Sequence, residues 1–255
     1  MRPYIIFAPP FHSGSAGIVV MHRLGQELMK KGLEVYLSTY VQNPKWPAIP
    51  VMPSFPLQDA IAVYPEIVQG NPFGSTRVVR YILCVPGFWG GPTTYPPEDI
   101  LFIYSDYWRK ESGLGLPDSR VLFIPDLIDT EWPNLHLTKE YSLWYRGKGR
   151  QPEVPEITRD AQFLGHNTQF NGEDMQHWLW ARLNKCDIFY TYDVATALWP
   201  IALFCGCQVE VVPDPTRNPS LPLDMTEERM REYYRKSERE LCFKMNNFIE
   251  ITQEG

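Results

Sequence analysis

Between Phe163 and Pro213 the chain reads FLGHNTQFNGEDMQHWLWARLNKCDIFYTYDVATALWPIALFCGCQVEVVP. Its densest chemistry is the segment Tyr190-Thr191-Tyr192-Asp193, which reads as a short polar loop after a strand, with Thr196 close behind. A carboxylate such as Asp193 accepts hydrogen bonds from a ligand's hydroxyl or N–H groups, and the Tyr192 ring can stack on a ligand or hydrogen-bond it. Thr196, with the amides around it, can receive an anion if a helix begins there. The plainer reading makes Asp193 or Thr196 a helix N-cap that needs no ligand. The two roles are compatible. A second candidate lies near the start, where His12-Ser13-Gly14 precede Gly17 and a helix. Such a loop turns backbone N–H groups toward an anion. The third glycine of the dinucleotide fingerprint is missing, so nicotinamide binding finds little support. His12 could equally do no more than hydrogen-bond its own backbone.

The elements that must carry these residues alternate. A strand over Tyr4–Ala8 leads through the glycine loop to a helix from Ile18 to Lys31, with Ile18, Met21, Leu24 and Leu28 at helical spacing. Gly32 stops that helix, and Leu33–Ser38 returns as a strand. Asp99–Ser105 and Val121–Ile124 read as further strands, and Asp126–Pro133 as a loop toward a second domain that opens on Ser142–Tyr145. There a helix over Gly172–Leu183, a strand through Ile188-Phe189, a helix over Ala195–Cys205 and a strand after Gly206 follow. Strand–helix alternation implies parallel sheets, whose ligands sit at the carboxyl ends of the strands. Asp224–Gln253, rich in mixed charge, reads as one or two exposed amphipathic helices. Trp178 and Trp180, two apart on the Gly172–Leu183 helix, face different ways, and packing suits both. The expected division is 1–129, 137–223 and a helical 224–255.

Composition narrows the class. The chain has 255 residues, 44% hydrophobic and 14% aromatic, enough for real cores. Net charge is −6 with no broad basic run, which argues against a nucleic-acid partner. No apolar run approaches the ~20 residues of a membrane span, and MRPYIIFAPP looks like a first strand rather than a signal peptide. Five cysteines in no disulfide-like pattern fit free thiols and a cytoplasmic protein. Cys205-Gly206-Cys207 is best read as small buried residues around a helix-to-strand turn.

The second half resembles the nucleotide-binding domain of glycosyltransferases with two facing Rossmann-like domains, the B-type fold. In that family a strand ends in Phe-Leu-Gly, matched here by Phe163-Leu164-Gly165, and an acidic residue follows a later strand, matched by Asp193. Ala202 and Gly206 fall in register. Two positions depart: Ile201 stands where the family has a second carboxylate that holds the donor ribose, and Cys207-Gln208 replaces the usual proline. In the first half, Tyr64-Pro65-Glu66-Ile67-Val68, Gly70-Asn71-Pro72 and Arg77-Val78-Val79-Arg80-Tyr81 are similar to bacterial and viral glycosyltransferases of polysaccharide synthesis. There the last motif lies on a helix.

The resemblance implies a short B-type fold, α/β, with a C-terminal helical crossover. It implies transfer of a sugar from a nucleoside-diphosphate-sugar donor to a hydroxyl of a carbohydrate acceptor. Arg146 and Lys148, after the second domain's first strand, would neutralise the diphosphate, although a solvated basic turn has the same look. His166 falls on the loop that passes the nucleobase, and His12, Ser13 and Gly14 on the loop that approaches donor and acceptor. Under the resemblance Asp193 would hydrogen-bond the donor's sugar hydroxyls, Tyr192 would stack on or hydrogen-bond that sugar, and Thr196 would receive the diphosphate. Glu66, just past a strand, is a candidate general base for an acceptor hydroxyl or a ligand of the acceptor. Asn71 would cap the following helix, and Arg80 on it would pair with a carboxylate. No cofactor and no metal are implied, and the chain has no Asp-Xaa-Asp pair of the kind that holds a cation in metal-dependent glycosyltransferases. Two other classes stay open: a non-catalytic nucleotide- or sugar-binding subunit of a glycan-assembly complex, and another Rossmann-type enzyme such as an NAD(P) oxidoreductase.

Overall fold

The computed structural model describes residues 1–52, 58–125, 133–147, 156–164, 173–212 and 226–254. The chain forms two compact units, Met1–Asp126 with Ser237–Gly255, and Leu127–Lys236. Each is α/β and built on a parallel sheet. The first contains β1 (Tyr4–Ile6), β2 (Val35–Leu37), β3 (Ile61–Pro65), β4 (Arg77–Ile82) and β5 (Ile100–Ile103), in the order β2-β1-β3-β4-β5. The second contains β6 (Tyr141–Tyr145), β7 (Gln162–Phe163), β8 (Cys186–Thr191) and β9 (Gln208–Val211), in the order β7-β6-β8-β9. Every pairing between these strands is parallel.

The first helix, α1 (Ala16–Lys30), ends as its sequence dictates. Gly32 has φ +76°, its N–H reaches the Met29 carbonyl at 2.8 Å, and Leu33 N–H reaches Leu28 at 3.3 Å. That pair of bonds is the Schellman stop, which asks for a residue at ease in the left-handed region. Two short helices, α2 (Asp106–Glu111) and α4 (Leu198–Phe204), and the longer α3 (Glu173–Asn184) follow in chain order. The C-terminal segment is one helix, α5 (Glu227–Gln253), of 27 residues. Up to Lys236 it clusters with the second unit, and from Ser237 onward with the first. Leu241, Met245 and Phe248 share one face and enter the core of the first sheet. Phe248 meets Phe102 and Tyr4 with ring centroids 4.7 and 6.1 Å away. None of the described helices is long and apolar enough to cross a membrane.

Three expected elements differ from those observed. Arg77–Ile82, expected as a helix, is the strand β4, paired on both sides. A parallel strand covered on both faces loses the polar alternation that would mark it, and five of its six residues are buried. Asn71 consequently caps no helix. Its side chain accepts from the Tyr64 hydroxyl at 2.9 Å and donates to Ser75 O at 2.7 Å, closing the β3–β4 turn. Val121–Ile124 is not a strand: Val121 makes a single bridge to Ile103. Tyr190 and Thr191, expected in a loop, finish β8 by pairing with β6 and β9.

The connection from β3 to β4 contains no helix, and the exposed face of the sheet is closed by its own loop. Val68 and Phe73 from that loop pack on Ala62, Tyr64 and Val78. Arg80 reaches out of β4 to hold the loop down. It donates to the carbonyls of Val68 at 3.0 Å and Gly70 at 2.6 Å, and pairs with Asp99 at 2.7 Å. Its guanidinium also lies 5.0 Å from the Tyr64 ring centroid and 5.7 Å from that of Tyr95. The expected carboxylate partner is thus present, reached from a strand.

Candidate functional site

In the second unit the chain runs from β6 out to β7 and then back past β6 to β8. Loops that leave β6 and β8 at their carboxyl ends therefore part in opposite directions. An open parallel sheet offers its ligand crevice at such a reversal. The residues there are Arg146 and Gly147 after β6, and Tyr192 to Thr196 after β8.

Asp193 is fixed by its own turn. Its N–H donates to Thr191 Oγ1 at 3.1 Å, the Thr191 hydroxyl donates to Asp193 O at 2.9 Å, and Oδ1 accepts from Ala195 N–H at 2.9 Å. The side chain lies against Gly147, whose φ is +54°. A Cβ on that glycine would stand 2.5 Å from Asp193 Oδ2 and 2.8 Å from the Tyr145 ring. Burial, reinforced by the Asp193 carboxylate and opposed by a hydrogen bond with Thr196, pushes the Tyr145 hydroxyl up to about 12. Tyr145, Arg146, Gly147, Asp193 and Thr196 are therefore brought together at two adjacent strand ends. Asp193 itself is only 7% exposed.

Other candidates come out differently. Helix α4 begins at Leu198 with Ala197 as its cap, not at Ala195. Asp193 turns the backbone through its bond to Ala195, and Pro200 falls in the first turn, where the missing N–H costs nothing. Thr196 accordingly precedes the helix, accepting from Leu198 N–H at 3.3 Å, and a helix-dipole cradle for a diphosphate is not formed there. The Tyr192 hydroxyl shares a buried hydrogen bond with Thr158 at 2.8 Å, and its ring meets Trp144 edge-on at 5.7 Å. Ile201, where the family resemblance has a carboxylate, is 3% exposed. Cys205 and Cys207 are buried on either side of Gly206, whose φ is +77°. Trp178 and Trp180 are both half-buried, one under the Arg182 guanidinium and the other donating to Pro133 O at 3.0 Å. Lys148 and His166 lie outside the described residues.

The first unit has the same kind of reversal, between β1 and β3. His12, Ser13 and Gly14 follow β1, and Glu66 follows β3. His12 Nδ1 accepts the Gly14 N–H at 3.1 Å, the self-bonding its sequence position allowed. Glu66 is 5% exposed and accepts Leu83 N–H at 2.9 Å, so its carboxylate ties the end of β3 to the end of β4.

His22 was not singled out by the sequence, although it sits one turn beyond Ile18 on the apolar face of α1. It is 1% exposed, its Nε2 bonds Pro9 O at 3.0 Å, and its ring meets Phe11 edge-on at 5.3 Å. It thereby holds the loop that carries His12. Burial lowers its pKa, with the Pro9 carbonyl opposing. The unfolded chain, titrating near 6.5, therefore binds a proton that the folded chain refuses. Stability contributed by neutral His22 is complete above that pH and is lost as pH falls toward the depressed folded value. Urea titrations between pH 7.5 and 5 should show wild type losing more stability than His22→Gln, by up to about 1.4 kcal/mol per pH unit. Equal slopes would remove His22 from the account.

No protein-family model matches the chain, and no curated protein matches it.

Proposed function

We propose that the protein is a glycosyltransferase that moves a sugar from a nucleoside-diphosphate-sugar donor to a hydroxyl of a glycan acceptor without a metal ion. In this reading the two α/β units are the acceptor-side and donor-side domains of a short B-type fold. The observation that carries it is Asp193, seated against Gly147 next to Arg146 where the second sheet reverses its strand order. A carboxylate fixed in that position suits the hydroxyls of a sugar. Arg146 supplies positive charge for the diphosphate, which gains charge as it leaves, and a guanidinium grips phosphate oxygens through two N–H groups. On the acceptor side, Glu66 is the base of the reading, held in one orientation by the Leu83 amide. His12, Ser13 and Gly14 line the neighbouring strand end.

A second reading, a nucleotide- or sugar-binding subunit without catalysis, draws support from Ile201. Its burial leaves the ribose without the carboxylate that the resemblance leads one to expect.

A thermal-shift panel of nucleoside diphosphates and nucleotide sugars in EDTA tests both. One diphosphate at 100 times its dissociation constant should add about 2.7 kcal/mol, a rise of several degrees for a chain of this size. Arg146→Ala should abolish the rise. Silence toward every nucleotide would sink the transferase reading. Stabilisation with no turnover, not even slow donor hydrolysis, would leave the binding subunit.

A further inference from the structure

We propose that the turn Gly87–Gly91, after β4, is a carbohydrate subsite in which a neutral sugar stacks on the Trp89 indole. That the sugar belongs to the acceptor rests on the function proposed above; the stacking itself does not.

The first observation is exposure combined with rigidity. Trp89 is 62% exposed, and a bare indole is costly to leave in water. Its turn is nevertheless fixed from several sides. Phe88 N–H bonds Val85 O at 3.0 Å and Gly90 N–H bonds Gly87 O at 3.3 Å. Gly87, Gly90 and Gly91 have φ of 78°, 86° and 81°. Gly91 is pressed onto the Ile67 backbone so closely that a Cβ would stand 2.6 Å from Ile67 O. Phe88 supports the indole edge-on, with centroids 4.9 Å apart at 84°. An aromatic face held this way binds a flat ligand with little ordering cost.

The second observation is where the turn lies. Ile67 directly follows Glu66, so the contact with Gly91 anchors the indole's turn at the carboxyl end of β3, on the edge of the sheet where Glu66 sits. Leu83, which donates to Glu66, begins the same connection.

Charge then selects among ligands that stack. From Tyr81 to Trp108 the chain has no Lys or Arg, while Glu98, Asp99 and Asp106 fall within it. The cation just before, Arg80, is buried against Asp99. A nucleotide or a nucleic-acid strand needs positive charge beside its stacking platform, and this turn offers none. A neutral sugar needs an apolar surface for its C–H face and polar groups for its hydroxyl rim. Trp89 and the 40%-exposed Ile67 provide the one, and the exposed Thr93 and Thr94 the other. A protein partner would ask for roughly 800 Å² per side, far more than one indole and an isoleucine present.

Native affinity electrophoresis through gels containing dextran, laminarin, galactomannan or hydroxyethylcellulose tests this on the whole chain. Wild type should be retarded in at least one gel. Trp89→Ala, an exposed position that leaves the fold intact, should lose about tenfold in apparent affinity, the scale of one lost stacking partner. Trp89→Phe should recover part of it, and Phe243→Ala, which removes another exposed aromatic ring, should behave as wild type. The proposal is overturned if no gel retards the protein, if Trp89→Ala is retarded equally, or if only a gel containing oligothymidylate retards it. Trp89→Ala should keep the nucleoside-diphosphate thermal shift. Retardation without any such shift in wild type would discard the transferase reading and leave the sugar-binding turn standing.

Discussion

Replacing Arg80 with methionine should cost the first unit about 3–5 kcal/mol, the range for breaking one side of a buried ion pair. The side chains of Arg80 and Asp99 are 2% and 5% exposed, and they meet at 2.7 Å. Methionine fills much of the arginine's volume, so a cavity contributes little. What remains is an Asp99 carboxylate without its cation, and Val68 and Gly70 carbonyls without their donors. The double variant Arg80→Met with Asp99→Leu should regain a large part of the loss, because a hydrophobic replacement of both charges removes the stranded one. Urea unfolding of the two variants and wild type measures this. A loss below about 1 kcal/mol, as for a surface pair, would mean that the β3–β4 loop is held by its apolar contacts and the Tyr64–Asn71–Ser75 hydrogen bonds without need of Arg80. The consequence reaches the candidate base, since Glu66 sits at the head of the loop that Arg80 pins.

What the sequence revealed and what it hid divide along a physical line. The end of α1 was legible because its signal is local: Gly32 two places after Lys30 is all that a Schellman stop requires. The α/β character was legible for the same reason, through apolar runs broken by helical spacing. Strand β4 was not, because a strand buried on both faces has no alternation and Arg-Val-Val-Arg-Tyr-Ile carries charge at its start and middle. That Arg80 wants a carboxylate follows from its type. That the carboxylate is Asp99, 19 residues away, follows only once β5 lies beside β4. The start of α4 misled for a related reason. Asp193 and Thr196 are good capping residues by type, but Asp193 turns the chain first and delays the helix to Leu198. At the site itself, Asp193 stood out as a carboxylate after a strand. Gly147 did not, since a glycine in Arg-Gly-Lys-Gly-Arg reads as a solvated turn until the sheet sets it against Asp193.

That contact allows the site to be tested through a glycine. Gly147→Ala should destabilise the second unit by more than Gly32→Ala destabilises the first, and it should remove the nucleoside-diphosphate thermal shift, which Gly32→Ala should leave intact. Both glycines are left-handed, at φ +54° and +76°, so both substitutions carry the same conformational cost of about 1–2 kcal/mol. Their surroundings differ. Around Gly32 nothing lies within 4 Å of the added carbon, and around Gly147 it would meet Asp193 Oδ2 at 2.5 Å, Asp193 Cβ at 2.6 Å and the Tyr145 ring at 2.8 Å. The excess loss in Gly147→Ala, about 1–3 kcal/mol by the usual scale of overpacking, therefore measures how tightly Asp193 is seated. Relief of the two closest contacts falls on Asp193 and of the third on the Tyr145 ring, and moving Asp193 strains the bond to Ala195 that sets the turn. If Gly147→Ala matched Gly32→Ala in urea and kept its nucleotide shift, the seat of Asp193 would be irrelevant to the donor. If it lost the shift while still folded at the assay temperature, the carboxylate's position, rather than its mere presence, would be what the ligand recognises.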